Sequence, residues 1–113
     1  MSCKIIALPL FSNALKKLVK QYPSLKQDFK KLLETLSENP QAGVRIKGMD
    51  IPLYKIRMAS SDKHRGKSGG FRAIYFFKSK DNFIALISVY SKSKQLDLNR
   101  KLVLAALKHE KII

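Results

Sequence analysis

Two apolar runs near the end of the chain, Phe71–Phe77 and Phe83–Tyr90, lie five residues apart, joined by the polar stretch Lys78-Ser79-Lys80-Asp81-Asn82. Rich in β-branched and aromatic residues and bounded by turn formers, they read as two strands of one hairpin. Strands this apolar are covered on much of both faces. Such a pair must sit inside a layered domain with other elements packed on it.

The remaining segments supply those layers. Lys4–Leu8 reads as a short first strand ended by Pro9. Leu15, Leu18, Val19 and Tyr22 fall at helical spacing until Pro23 interrupts them. A second helix starts near Ser24, a candidate N-cap, with Leu25, Phe29, Leu32, Leu33 and Leu36 on its apolar face, and Asn39-Pro40 closes it. The lysines of both helices (Lys16, Lys17, Lys20, Lys26, Lys30 and Lys31) fall mostly off those faces and read as a solvated surface. Gly43–Gly48 is a weak strand or a connecting loop. In Leu53–Met58 the alternation is clear: Tyr54, Ile56 and Met58 point one way, and Leu53, Lys55 and Arg57 the other. Leu96–Lys108 reads as a last helix that buries Leu98, Leu102, Val103, Ala106 and Leu107. The order β, α, α, three or four β, then α predicts an α+β fold. A small antiparallel sheet would carry an N-terminal two-helix hairpin and a C-terminal helix. With no linker and no internal repeat, residues 1–113 are expected to form a single domain.

Charge narrows the partner. The chain has 23 Lys and Arg against 8 Asp and Glu, a formal net charge of +15. Such an excess favours nucleic acid, an anionic membrane surface or an acidic protein. The apolar runs are far shorter than the roughly 20 residues of a spanning helix, and MSCKIIALPLF is a poor signal peptide. A cytoplasmic protein with no membrane association is expected. Cys3, the only cysteine, leaves no internal disulfide and no Cys/His metal spacing.

The basic residues concentrate at one bend. Lys55–Arg72, KIRMASSDKHRGKSGGFR, holds six Lys or Arg and one histidine around a glycine-rich turn, with Asp62 as its only acid. Cations crowded this way repel one another unless a polyanion binds, and RNA is the expected one. GKSGG is not a phosphate-binding Walker loop, because the spacing GxxxxGK(S/T) is absent. The carboxylates Asp28, Glu34, Glu38 and Asp50 are scattered in sequence, so neither a two-metal nuclease nor a paired-carboxylate hydrolase is indicated. Neither a metal nor a small-molecule cofactor is expected. Cations alone can run phosphodiester cleavage in RNA, because the attacking 2′-OH belongs to the substrate. The protein need only align it, help remove its proton, neutralise the phosphorane and protonate the leaving 5′ oxygen. Arginine offers a fixed fork to phosphate oxygens, and a lysine crowded by cations is a candidate base. Lys55 and Arg57 project from one face of their strand, and Arg72 can reach that face across the loop.

The run YKIRMASSDKHRGKSGGFRAIYFF followed by FIALISVYSKS closely resembles the RelE/HigB-like toxins of bacterial type II toxin-antitoxin modules, within the RelE/ParE superfamily. The pairing of YKIR, GKSGGFR and ISVYSKS at these separations carries the resemblance most specifically. It implies a metal-independent, ribosome-dependent mRNA endonuclease that inhibits translation, with mRNA and the ribosome (rRNA) as partners and a cognate antitoxin covering its active face. By position, Lys55 is then a candidate base, Arg57 a phosphate ligand and Arg72 the stabiliser of the transition state. Lys92 falls near the leaving group, where the family often has arginine.

The chain departs from the family at Leu98, where several ribosome-dependent members carry a catalytic tyrosine. The proton-transfer partner is left open between Tyr90 and His64. Lys63, His64, Arg65, Lys67 and Lys94 are expected to grip the RNA scaffold. Each has a plainer reading as well: His64 as a solvated loop residue, Tyr90 as a cap on the sheet, Gly69 and Gly70 as a turn, His109 as a favourable charge at a helix C-terminus. Two other functions stay open, a ParE-like DNA gyrase inhibitor and a non-catalytic RNA- or ribosome-binding module.

Overall fold

A computed structural model describes residues 3–58, 70–92 and 98–113. The elements run β1 (Lys4–Ala7), α1 (Pro9–Gln21), α2 (Leu25–Glu38), β2 (Val44–Arg45), β3 (Leu53–Met58), β4 (Phe71–Lys78), β5 (Phe83–Ser91) and α3 (Arg100–His109). A single 3₁₀ turn, Ser79–Asp81, links β4 to β5, and Asn82 closes it in the left-handed conformation at φ 49°. Asparagine tolerates that conformation better than most residues.

The five strands form one sheet in the order β1-β5-β4-β3-β2. β2 to β5 pair antiparallel, as the alternation and the hairpin predict. β1 joins the edge parallel to β5, so the sheet is mixed. No hairpin constrains β1 and β5, which are separated by most of the chain, and a long connection is what a parallel pair requires.

Helices cover both faces. On one face, Phe11 of α1 and Leu25, Leu32 and Leu36 of α2 pack against Tyr54, Met58, Phe71, Ala73, Tyr75 and Phe77. On the other, Val103 and Leu107 of α3 meet Leu53, Ile74, Phe76, Ala85, Ile87 and Tyr90. A central strand buried on both sides has no polar face to alternate with, which is why β4 and β5 read as unbroken apolar runs. The lysines of α1 and α2 are exposed, as expected.

Several boundaries shift for local reasons. Pro9 starts α1 as well as ending β1, because its missing N–H falls where a helix has no partner for it. Ser24 stands at the N-cap of α2, but its hydroxyl does not cap and its backbone is already helical. The chain enters α2 through a turn in which the Leu25 N–H donates to the Tyr22 carbonyl at 2.9 Å. α3 begins at Arg100, later than the expected Leu96, because the Asn99 side chain accepts the Leu102 N–H at 3.1 Å and caps it. Leu96 itself lies outside the described residues. Leu102, expected in the core, is 46% exposed. Val103 and Leu107, four apart, are the residues of α3 that face the sheet.

A buried tyrosine positions β2. The Tyr75 hydroxyl donates to the Pro40 carbonyl at 2.7 Å and accepts the Gly43 N–H at 3.0 Å. A side chain at Gly43 would bring its Cβ to 2.9 Å from both the Lys55 carbonyl oxygen and that hydroxyl, so glycine is required there for close approach.

Candidate functional site

The register of β3, β4 and β5 draws separate stretches of the sequence into one row. Arg57 is the partner of Arg72, and Arg72 is the partner of Tyr90. Directly opposed residues on neighbouring strands lie about 4.5–5.5 Å apart at Cα and project from the same side. Alternation assigns that side: Leu53, Ile74, Phe76 and Tyr90 belong to the core beneath α3, so Lys55, Arg57 and Arg72 share it. Lys55 lies one step along β3, opposite Ile74, which in turn pairs with Ser88.

The four side chains differ in how far they are covered. Lys55 and Arg72 are half-buried, Arg57 is exposed and Tyr90 is buried. Arg72 uses one N–H to reach the Phe71 carbonyl at 3.3 Å, which holds the guanidinium along its own strand. At the end of the row the Lys92 N–H donates to the Gly70 carbonyl at 3.2 Å. Gly70 adopts φ 86°, where glycine is favoured. This bond extends the β4–β5 ladder one step and fixes the backbone of half-buried Lys92 beside the row.

Two hollows flank Lys55 and Tyr90. One, between β2, β3 and the start of α3, has a volume of about 270 Å³ and is bordered by Arg45, Lys47, Lys55, Leu98 and Arg100. The other, of about 530 Å³ between α1, β5 and α3, is bordered by Ser88, Tyr90, Leu98, Asn99 and Leu102. Leu98 borders both. It is buried and lies two residues ahead of α3.

On the far side of β3 a third hollow, of about 260 Å³, is bordered by Asp28, Lys31, Thr35, Arg57 and Met58. β2 covers β3 only at Tyr54 and Lys55. Past them no other described strand pairs with that edge of β3, and the Arg57 side chain contributes to this hollow as well.

The structure therefore brings together Lys55, Arg57, Arg72 and Tyr90, with Lys92 at the end of the row. Lys63, His64, Arg65, Lys67 and Lys94 lie outside the described residues. Two cations went unnoticed in the sequence, and one carboxylate reads there only as scattered. Asp28 is 8% exposed; it stands three residues after Leu25 and four before Leu32, on the apolar face of α2, so the helical spacing could have flagged it. Lys47 and Arg100 border the same cleft as Lys55 but stand 53 residues apart, and no local pattern links them. Among the described residues no three His, Cys, Asp or Glu side chains come together as a metal site, and no helix is long and apolar enough to cross a membrane.

No family model matches the chain. It is similar in structure to E. coli toxin RelE, solved as an arginine-to-alanine double mutant in the free state. The TM-score is 0.59 and the identity 23%, over 96% of this chain and 98% of that one. The three helices and the mixed five-stranded sheet thus form a RelE-like α+β fold.

Proposed function

We propose that the chain is the toxin of a type II toxin-antitoxin pair and cleaves mRNA on the ribosome without needing a metal ion. The observation that carries this reading is the Arg57–Arg72–Tyr90 row with Lys55 one step away on the same face. Like charges directly opposite one another on a sheet are unfavourable. A polyanion that binds both arginines offsets that cost.

In this reading the scissile phosphate lies over the row. Lys55 takes the proton of the 2′-OH as its oxygen attacks the adjacent phosphorus. Arg57 and Arg72 neutralise the charge that builds on the non-bridging oxygens. The P–O5′ bond breaks, leaving a cyclic phosphate, and Lys92 or Tyr90 returns a proton to the 5′ oxygen. Tyr90 can act only if the leaving nucleotide enters the groove that Tyr90 borders with Ser88 and Leu98. The basic residues beyond β3 and β5 attract ribosomal RNA. A cognate antitoxin covers the same face, and the protein acts in the cytoplasm.

The test is to induce the chain in bacteria and map mRNA 5′ ends, comparing the wild type with Arg72→Ala. Codon-phased cuts that disappear in the mutant support the proposal. Growth arrest with intact messages and damaged DNA would instead indicate gyrase poisoning, and absence of toxicity a binding module without chemistry.

A further inference from the structure

We propose that the cleft between β2, β3 and the start of α3 is a second phosphate site. It would hold the neighbouring nucleotide of a single-stranded RNA whose scissile phosphate lies over Arg57 and Arg72. The inference rests on the reading of this face as an RNA site and adds to it the path of the strand. The cleft is bordered by Lys47, Lys55 and Arg100, with Arg45 alongside, and none of the described residues bordering it is acidic.

Its cations come from three elements that only the fold brings together, and two of them are held in place. The Arg100 guanidinium makes a long contact of 3.5 Å with the Lys47 carbonyl, linking α3 to the turn after β2. Asn99 caps α3, which orients the residue that follows. The Arg45 guanidinium is engaged with the Ile51 carbonyl at 3.1 Å and serves the turn more than the cleft. Lys47 and Arg100 are the exposed charges left to meet a ligand.

Geometry favours RNA over an acidic peptide. Lys55 belongs both to the cleft and to the face of the arginine row, and it is displaced from Arg57 by two residues, about 6.6 Å along the strand. That is close to the separation of successive phosphates on an extended nucleic-acid strand. A ligand that leaves the row along β3 therefore meets the cleft with its next phosphate. Val44, 73% exposed at the sheet edge, and Leu98 give the cleft an apolar rim against which a base can rest. A guanidinium fork beside a lysine suits a phosphate group.

The test measures binding of the full chain to a short single-stranded RNA, 2′-O-methylated so that it cannot be cut, as a function of salt. For single strands the logarithm of affinity falls with the logarithm of salt by about 0.7 per phosphate neutralised. Lys47→Gln and Arg100→Gln are each expected to weaken binding and to lower that slope, by about 0.7 in all when both are replaced, with Arg72→Ala adding its own decrement. Both cleft substitutions are at exposed positions, and unchanged thermal unfolding will show that the fold is retained. If the cleft variants bind with the wild-type slope while Arg72→Ala is weakened, the cleft is not part of the RNA path and this inference fails alone. If Arg72→Ala also binds like the wild type, or the wild type has no affinity for the oligomer, the RNA reading of the whole face fails with it. Loss of poly-glutamate binding with RNA binding intact would make the cleft an acidic-protein site and overturn the proposal.

Discussion

Arg57 and Arg72 stand directly opposite each other on β3 and β4, two arginines in one cross-strand pair. Such a pair opposes folding, and its position suits an anion better than it suits the sheet. Arg72→Gln should therefore raise stability by about 0.2–1 kcal/mol, read from the midpoint of urea unfolding. The same variant should cut messages about a hundredfold or more slowly, because it loses a donor aimed at the developing charge. Lower stability together with wild-type cleavage would show that the arginine serves the sheet.

Tyr75 has the opposite character. Its ring is fully buried, stacked on Tyr54 at 5.3 Å between centroids, and its hydroxyl satisfies Pro40 and Gly43. Tyr75→Phe leaves both backbone groups without that partner and should cost about 1–3 kcal/mol. Burial also pushes the Tyr75 pKa from the ordinary value of 10.0 up to about 12. Below pH 10 the phenol is protonated in both states and its contribution is complete. Between pH 10 and 12 the unfolded chain releases this proton and the folded chain keeps it, so stability falls as pH rises, by at most about 2–3 kcal/mol. In Tyr75→Phe that decrement should be missing from a series of unfolding curves across this window.

Two leucines of one helix should respond unequally. Leu107 is fully buried between α3 and the sheet, whereas Leu102 is 46% exposed. Leu107→Ala is expected to cost about 2–5 kcal/mol and Leu102→Ala less than about 1 kcal/mol. Equal losses in chemical denaturation would mean that α3 packs differently.

Cys3 should react slowly with alkylating agents. It is 8% exposed, and its thiol donates to the Asn82 carbonyl at 3.0 Å. Burial raises its pKa, so at pH 8 less of the nucleophilic thiolate is present than in an exposed cysteine. Labelling by iodoacetamide followed by mass spectrometry should be many times slower in the native chain than in urea, and should accelerate as pH rises.

Much of the architecture was legible locally, because periodicity is a local property. Leu53–Met58 alternates in sequence and does so in the sheet, and the β4–β5 hairpin follows from two apolar runs and a short polar turn. The basic character of one face was equally legible from Lys55, Arg57 and Arg72. By itself, the sequence determined the order of the main strands and helices, though neither β2 nor the start of α3, and that three cations belong to neighbouring strands.

The tertiary structure decided which residues meet. Register set Arg57, Arg72 and Tyr90 in one row, and a slip of a single residue would have sent the arginines to opposite faces. Packing across elements joined Lys47 to Arg100, seated β1 parallel to β5 and rotated Leu102 outward. These outcomes depend on contacts between residues far apart in the chain, whose energies no window of neighbouring residues contains.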